Sequence, residues 1–243
     1  MIVTSRNKQE IYDDAASSWW SDNIRWVRTL KNLVPARFSF FDRFADWSGK
    51  DVLDLGCAGG FMAEALAERG ARVTGIDPAA EALAVAKSHA RAMGLEIRYD
   101  AGVGEALPYN HASFDHVICV DVLEHVSDLT KVLAEITRVL RPGGLFLYDT
   151  INRNTIARLA TITIAEDSLG LLPKGTHDPA LFIKPAELVF GMENAGLVTG
   201  PMTGLGPRGV TRRGDFTFGT LPLKTVIYAG LARKPSLDLK GNI

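Results

Sequence analysis

The chain has little cysteine: Cys57 and Cys119 are the only two in 243 residues. Two thiols build neither a disulfide framework nor a zinc site, and each lies in an apolar stretch where a small buried side chain is the plainer role. Net charge is nearly absent, because 27 Lys and Arg face 28 Asp and Glu to leave −1. No overall field therefore draws the chain to nucleic acid or to an anionic membrane. Long apolar runs are missing too. No run of about 18 apolar residues suggests a membrane span, and the opening MIVTSRNKQE has no apolar signal core. Internal repeats and low-complexity stretches are also lacking. These absences point to a protein of a reducing compartment, expected to be cytoplasmic. What is present is ordinary for a soluble globular protein: 47% hydrophobic and 23% charged residues. The length suits one domain with embellishments and a proper core.

Hydrophobic spacing then divides the chain. Glu10–Phe44 reads as mostly helical, with Ile11, Ala15, Trp19 and then Trp26, Leu30, Leu33 recurring at helical intervals. Beyond it strand and helix alternate. Strands are expected at Asp51–Leu55, Arg72–Ile76, Glu96–Asp100, Phe114–Val120 and Leu145–Tyr148, and helices at Gly60–Glu68, Ala80–Met93 and Leu129–Val139. Alternation with short links predicts an α/β fold, a parallel sheet with helices on both faces. Two stretches fall outside the pattern. Asn152–Asp178 carries apolar residues, among them Ile156, Leu159, Ile162 and Ile164, that belong to no sheet crossover. Glycine-rich Gly200–Gly219, with Arg208, Arg212 and Arg213, reads as a functional loop or a strand connection. Pro222–Ala232 returns to strand character and completes an expected seven-stranded, mostly parallel sheet.

The most informative segment is Lys50–Gly60, KDVLDLGCAGG, with ARVTGIDPA at Ala71–Ala79. It reads as a buried strand, a glycine turn opening a helix, and a second strand ending in an acid. Gly56, Gly59 and Gly60 let the backbone approach a ligand closely. Asp77 is placed to accept hydrogen bonds from ribose hydroxyls. Together these describe a nucleoside pocket, and a dinucleotide fold is the first competitor. Asp54 decides against it. An acid on the strand before the turn would repel a pyrophosphate, and no Lys or Arg lies in the turn to hold phosphate, whereas a carboxylate suits the cationic amino-acid end of S-adenosylmethionine. Phe114-Asp115 opening the fourth strand and Arg141-Pro142-Gly143-Gly144 before the fifth agree in order and spacing. Each alone is also ordinary turn and pairing chemistry.

At these residues the chain resembles the Rossmann-like class I S-adenosylmethionine-dependent methyltransferases. More narrowly, it resembles the ubiquinone-biosynthesis O-methyltransferase family. The narrower likeness covers most of Tyr12–Leu197. It rests on Ala16-Ser17-Ser18-Trp19-Trp20, Pro35-Ala36-Arg37, VDVLEHV at Val120–Val126, Ile151-Asn152-Arg153-Asn154 and, above all, PKGTHD at Pro173–Asp178 with FIKPAEL at Phe182–Leu188. The resemblance implies that Arg37, Gly56, Asp77 and Val120 contact the cofactor. Arg37 would pair with the methionine carboxylate, Asp77 would hold the ribose, and Val120 would flank the adenine or sulfonium end. Asp54 and Gly60 join them from the turn. Glu105 is either a neighbour of adenine or a solvated loop acid. The implied reaction is O-methylation of a phenol or catechol, a prenylated quinone precursor in the family. Ala58 stands where the family has its middle glycine. Lys31 and Val34 replace a usual His and Asn, and GLGPRGVTRRGDF at Gly204–Phe216 departs from the family pattern. These departures leave room for a natural-product phenol as acceptor, or for a protein that holds cofactor without catalysis.

A phenol titrates near ~10, so transfer to it needs a base or a lowered pKa. Asp121, Glu124 and His125 are spaced to share one face of a helix starting after the fourth strand. They are candidates to hold a divalent cation such as Mg, with His125 alternatively acting as base. Acids in a first helical turn also simply favour the helix dipole. His177, oriented by neighbouring Asp178, is a second candidate base or acceptor-binding group. Asn152–Leu172 is placed as a lid over the site, or as a surface for peripheral membrane contact through 155–172. The organisation expected is a single methyltransferase domain over 1–243. It comprises an N-terminal helical cap (1–49), a cofactor-binding core (50–150), the insertion (151–180) and the C-terminal part of the sheet (181–243).

Overall fold

A computed structural model describes residue 7 and residues 10–236. At its centre are strands β1 (Asp51–Leu55), β2 (Arg72–Asp77), β3 (Ile97–Ala101), β4 (Phe114–Cys119) and β5 (Leu140–Ile151), all parallel. Val52, Leu53, Val117, Ile118, Phe146 and Leu147 are buried. Their continuous apolar character, in place of alternation, follows from cover on both faces of a parallel sheet. Helices α3 (Phe61–Ala67), α4 (Ala80–Ala92) and α5 (Leu129–Val139) provide that cover, joined by α2 (Arg25–Phe41) and α7 (Pro185–Asn194). Two apolar clusters result, one built around Phe38, Phe41 and Leu66 and the other around Ile136, Phe146 and Leu188.

The sheet has eight strands where seven were expected, in the order β3-β2-β1-β4-β5 followed by β8 (Ile227–Arg233), β6 (Val198–Val210) and β7 (Phe216–Leu221). The additional strand comes from Gly200–Gly219. That stretch is neither loop nor simple connection: β6 (Val198–Val210) and β7 (Phe216–Leu221) form an antiparallel hairpin at the sheet edge. Strand β8 (Ile227–Arg233) inserts antiparallel between β5 and β6. The hairpin tip leans on α2. Arg28 Nη2 lies 2.9 Å from Asp215 Oδ1, and Asn32 Nδ2 donates to the Phe216 carbonyl at 3.1 Å. The sequence-distant departures at Lys31 and Val34, on α2, and at Gly204–Phe216 thus fall on elements that pack together.

The expected long N-terminal helical segment is broken into α1 (Glu10–Asp14), a single 3-10 turn (Ala16–Ser18) and α2. Trp19 is buried against Phe61, at 5.3 Å between ring centroids, and Trp26 meets it edge-on at 5.8 Å. Of the insertion, α6 (Thr155–Arg158) runs on into a π-helical stretch, Leu159–Ser168. No helix among the described residues is long and apolar enough to cross a membrane. Strand order reverses between β1 and β4, so the crevice at their carboxyl ends is where a ligand binds in such a sheet.

Candidate functional site

A cavity of about 730 Å³ occupies that crevice. Arg37, Asp54, Gly56, Asp77, Glu105 and Val120 all line it; Gly60 does not. Gly60 instead starts α3 at φ +93°, where a Cβ would sit 2.7 Å from the Tyr99 hydroxyl. At Gly56, φ is +77° and a Cβ would come within 2.2 Å of Val122. Both positions exclude a side chain on steric as well as conformational grounds. Ala58, in the family's glycine position, holds the left-handed φ of +42° despite its methyl group. Its N–H donates to Asp77 Oδ2 at 2.8 Å, while Asp77 Oδ1 accepts from Ala79 N at 2.8 Å. Asp77 therefore ties the glycine turn to the end of β2 as well as facing the cavity. Glu105 combines both roles weighed for it: it lines the cavity, and its Oε1 accepts from Ser127 N at 2.9 Å and Ser127 Oγ at 2.8 Å.

Asp54 is 1% exposed and its Oδ2 has no hydrogen-bond partner among the described residues. Burial, then the charge of Asp77, pushes its carboxyl up to about 7, against the opposing pull of Arg37. Arg37, also buried, is held between two acids: Nε donates to Asp149 Oδ2 at 2.6 Å, and Nη2 pairs with Asp121. Burial works against the guanidinium charge, but Asp121 and Asp149 more than offset it and keep Arg37 charged.

The expected helical face of Asp121, Glu124 and His125 does not form. Helix α5 starts only at Leu129, capped by Asp128, whose side chain accepts from Lys131 N. The residues between form a turn in which Asp121 adopts φ +54° and its N–H reaches Asp149 Oδ1 at 2.8 Å. That geometry pairs the Asp121 carboxylate with Arg37 and leaves it outside the cluster of Glu124 and His125. His177 takes its place. One oxygen of Glu124 and one ring nitrogen each of His125 and His177 lie within 4.8 Å of one another, all three residues buried. The two imidazoles stack, with centroids 5.0 Å apart. Nor is His177 oriented by Asp178, which instead accepts from Ala180 N at 2.9 Å. Its partner is Glu166 of the π-helical stretch: Oε1 lies 2.9 Å from His177 Nδ1 and accepts from His177 N at 3.1 Å, while Oε2 accepts from Gly175 N at 2.9 Å. Sequence reasoning missed Glu166, and its one signal was an acid within an apolar helical run. Thr150 Oγ1 donates to Glu124 Oε2 at 2.7 Å, and Glu124 Oε1 has no partner among the described residues. Burial and then the Asp121 charge push Glu124 up to about 8; burial and then His177 push His125 down to about 3. At neutral pH, the carboxyl favours its protonated form and His125 is a neutral imidazole.

Residues 53–148 match a methyltransferase domain family. A ubiquinone biosynthesis O-methyltransferase from Chromobacterium violaceum is 40% identical over 202 residues, covering 83% of this chain and 87% of that protein. Its counterpart from Thiobacillus denitrificans is 42% identical over 195 residues, covering 80% and 84%. The chain belongs to the ubiquinone-biosynthesis O-methyltransferase family. Its fold agrees: an S-adenosylmethionine-dependent methyltransferase from Thermotoga maritima superposes with a TM-score of 0.66 over 93% of this chain and all of that one, at 17% identity.

The residues present fit the S-adenosylmethionine that this methyltransferase family uses. The cavity volume is in the usual range for a small-molecule site, the Asp54 oxygen lacks a partner that an ammonium group would supply, and the backbone at Gly56 leaves no room for a side chain. A divalent cation is a different matter. Two imidazoles and one carboxylate form a mixed nitrogen and oxygen donor set, which suits imidazole-preferring transition ions better than Mg, an ion that takes oxygen ligands.

Proposed function

We propose that the protein transfers a methyl group from S-adenosylmethionine to the hydroxyl of a phenol or catechol, a prenylated quinone precursor, with His125 as the proton acceptor. One observation carries this reading: Asp54, Asp77 and His125 line the same cavity. In the displacement, the phenolic oxygen forms its bond to the methyl carbon as the sulfonium carbon–sulfur bond breaks. The phenolic proton goes to the lone-pair nitrogen of His125, and S-adenosylhomocysteine leaves. A buried neutral imidazole has that lone pair available without first losing a proton. Asp77 would hold the ribose, Asp54 the ammonium and Arg37 the carboxylate of the cofactor, the last requiring Asp121 to share its partner. Val120 and Glu105 would border the adenine side. The prenylated acceptor is favoured by the family names and by where the departures fall. Lys31, Val34 and the Gly204–Phe216 hairpin are not in the cavity wall, so they give no support to a different phenol.

A second reading is supported by Glu124 Oε1, which has no partner among the described residues. A divalent cation held by Glu124, His125 and His177 would displace the proton that burial keeps on this carboxyl and, as a Lewis acid, lower the pKa of a catechol. Elemental analysis of the purified protein and activity after chelation test it, and activity unchanged by EDTA and by Glu124→Ala would remove it. Peripheral membrane contact through residues 155–172 is supported by the exposure of Ile156, Leu159, Ile164 and Leu169. Liposome flotation of the intact chain against a variant lacking Thr155–Leu172 tests that contact, and equal behaviour would end it. For the reaction itself, mass-spectrometric turnover on a panel of catechols is decisive. Tight cofactor binding with no methylated product would sink the enzymatic reading, and preference for compact polar phenols would redirect it to natural products.

A further inference from the structure

The chemistry above gives no task to the chain ahead of α2, yet this segment borders the cofactor cavity and is fastened at two places. Asn7, Glu10, Tyr12, Asp13 and Trp19 all contribute to the cavity wall. Asp13 Oδ1 accepts from the N–H groups of Glu81 at 2.9 Å and Ala82 at 3.3 Å, in the first turn of α4. That helix has Ala79 at its N-cap, with no side-chain acceptor of its own, so Asp13 caps it from a distant part of the chain. Asn7 engages His125 twice. Its Nδ2 donates to the His125 carbonyl at 3.1 Å, and its Oδ1 lies 2.5 Å from Nδ1 of the ring. Trp19 presses on the glycine turn so closely that a Cβ on Gly59 would lie 2.2 Å from its indole.

The Asn7 contact fixes more than position. A backbone carbonyl only accepts, so the amide nitrogen must face it, which leaves the amide oxygen facing Nδ1. That oxygen also only accepts, so Nδ1 carries the ring proton. In a neutral imidazole the lone pair is then on Nε2.

We propose that Asn7 and residues 10–19 form a strap that closes over bound cofactor. Asp13 latches it on α4, and Asn7 latches it on His125, where Asn7 is a positioning residue that holds the imidazole in the tautomer whose Nε2 lone pair takes the acceptor's proton. The positioning role rests on the reading of His125 as the base; the strap does not. Closure thereby couples the two ends of the cavity: the contact that shuts the cofactor in also sets the base.

The test uses the full chain labelled with 15N at histidine, with S-adenosylhomocysteine bound. Long-range 1H–15N spectra, assigned through His125→Gln, should show Nδ1 protonated and Nε2 unprotonated in His125. Asn7→Ala should mix the tautomers and lower kcat by about tenfold, the scale of a partly lost proton transfer, with little change in cofactor KM. Asn7→Asp, which keeps the acceptor, should restore the Nδ1–H form. Asp13→Ala should speed S-adenosylhomocysteine dissociation about fivefold, the worth of one helix cap, and Asp13→Asn, an equally good cap, should not. Amide exchange over residues 10–18 should slow when S-adenosylhomocysteine binds. A proton on Nε2 in the unmodified protein, or a tautomer indifferent to Asn7→Ala, overturns the positioning role. Exchange over 10–18 unchanged by bound S-adenosylhomocysteine overturns the strap. Full activity of His125→Gln would overturn the base assignment and the positioning role with it, while leaving the exchange result to decide the strap separately.

Discussion

Asp54 should make cofactor affinity pH-dependent below neutrality. Its carboxyl is fully enclosed, has one oxygen without a partner among the described residues, and is held at about 7 by burial and the nearby Asp77 charge. A group with that pKa is about nine-tenths protonated at pH 6. The ammonium group of S-adenosylhomocysteine favours the carboxylate, so binding at pH 6 should expel about 0.9 proton. Because the complex holds fewer protons than the free protein, affinity strengthens as pH rises and levels off above 7. Below 7 the Kd weakens by up to tenfold per pH unit, about 1.4 kcal/mol each, until the carboxyl's pKa in the complex is reached. Titration calorimetry should therefore find binding about 30- to 100-fold weaker at pH 5 than at pH 8. Heats measured at pH 6 in two buffers of different ionisation enthalpy should report the released proton. Asp54→Asn should bind more weakly at pH 8 and lose most of the slope. Asp149, raised to about 6 mainly by burial, titrates in the same window beside Arg37, and the slope left in Asp54→Asn measures its share. A flat affinity from pH 5 to 8, or an undiminished slope in Asp54→Asn, would refute the reasoning.

Ala58→Gly should stabilise the fold by about 1 kcal/mol, because an alanine at φ +42° bears the left-handed penalty that glycine escapes; urea unfolding checks it. Glu124→Gln should flatten the pH dependence of stability in the presence of chelator. With its folded pKa raised from 4.5 to about 8, Glu124 binds more protons folded than unfolded between those values, so stability falls as pH rises through that window. The full loss is about 5 kcal/mol, of which about 4 kcal/mol falls between pH 5 and pH 9, so unfolding free energies at those two values should differ by about 4 kcal/mol less in the Gln variant. Glu166→Ala leaves the buried His177 ring and two backbone N–H groups without their acceptor, at a cost of about 3 kcal/mol. Glu166→Gln keeps an acceptor and should cost less. Thermal unfolding and turnover read together check the pair, and equal effects of the two variants would argue against the hydrogen-bonding role.

The fold was legible where neighbours in sequence are neighbours in space. Strands buried on both faces read as short apolar runs, and the βαβ turn at Gly56–Gly60 is a local device, so Asp54 and Asp77 could be placed from the sequence alone. The missing eighth strand shows the limit. Gly204, Gly206, Pro207 and Gly209 read as loop residues, but beyond Leu205 β6 pairs with β7 alone, and glycine and proline are tolerated where one side of the strand has no ladder to keep. Register shifts between Pro207 and Gly209 where proline cannot donate. The spacing of Asp121, Glu124 and His125 misled for another reason. A period of three and four implies a common face only if the segment is helical, and here the chain first turns sharply at Asp121 to bring its N–H onto Asp149.

That difference between local and distributed construction separates the two ends of the cavity. The cofactor end is one turn between two strands, and its residues are fixed by backbone geometry that each supplies to the next. The proposed acceptor end draws on Asn7 and His125, which line the cavity, and on Glu124, Glu166 and His177, which do not, from an N-terminal segment, a turn after β4, the π-helical stretch and the loop that follows it. Apart from the π-helical stretch and its following loop, which Glu166 joins through backbone N–H groups, these pieces are far apart in the chain, so sequence spacing carries little trace of their meeting. They are held together by hydrogen bonds across the site, each bond with few substitutes once water is excluded. Glu166 illustrates the consequence. This buried acid supplies the acceptor for three donors of the following loop, namely Gly175 N, His177 N and His177 Nδ1. Displacing the π-helical stretch would therefore release His177, and with it the ring stacked on His125.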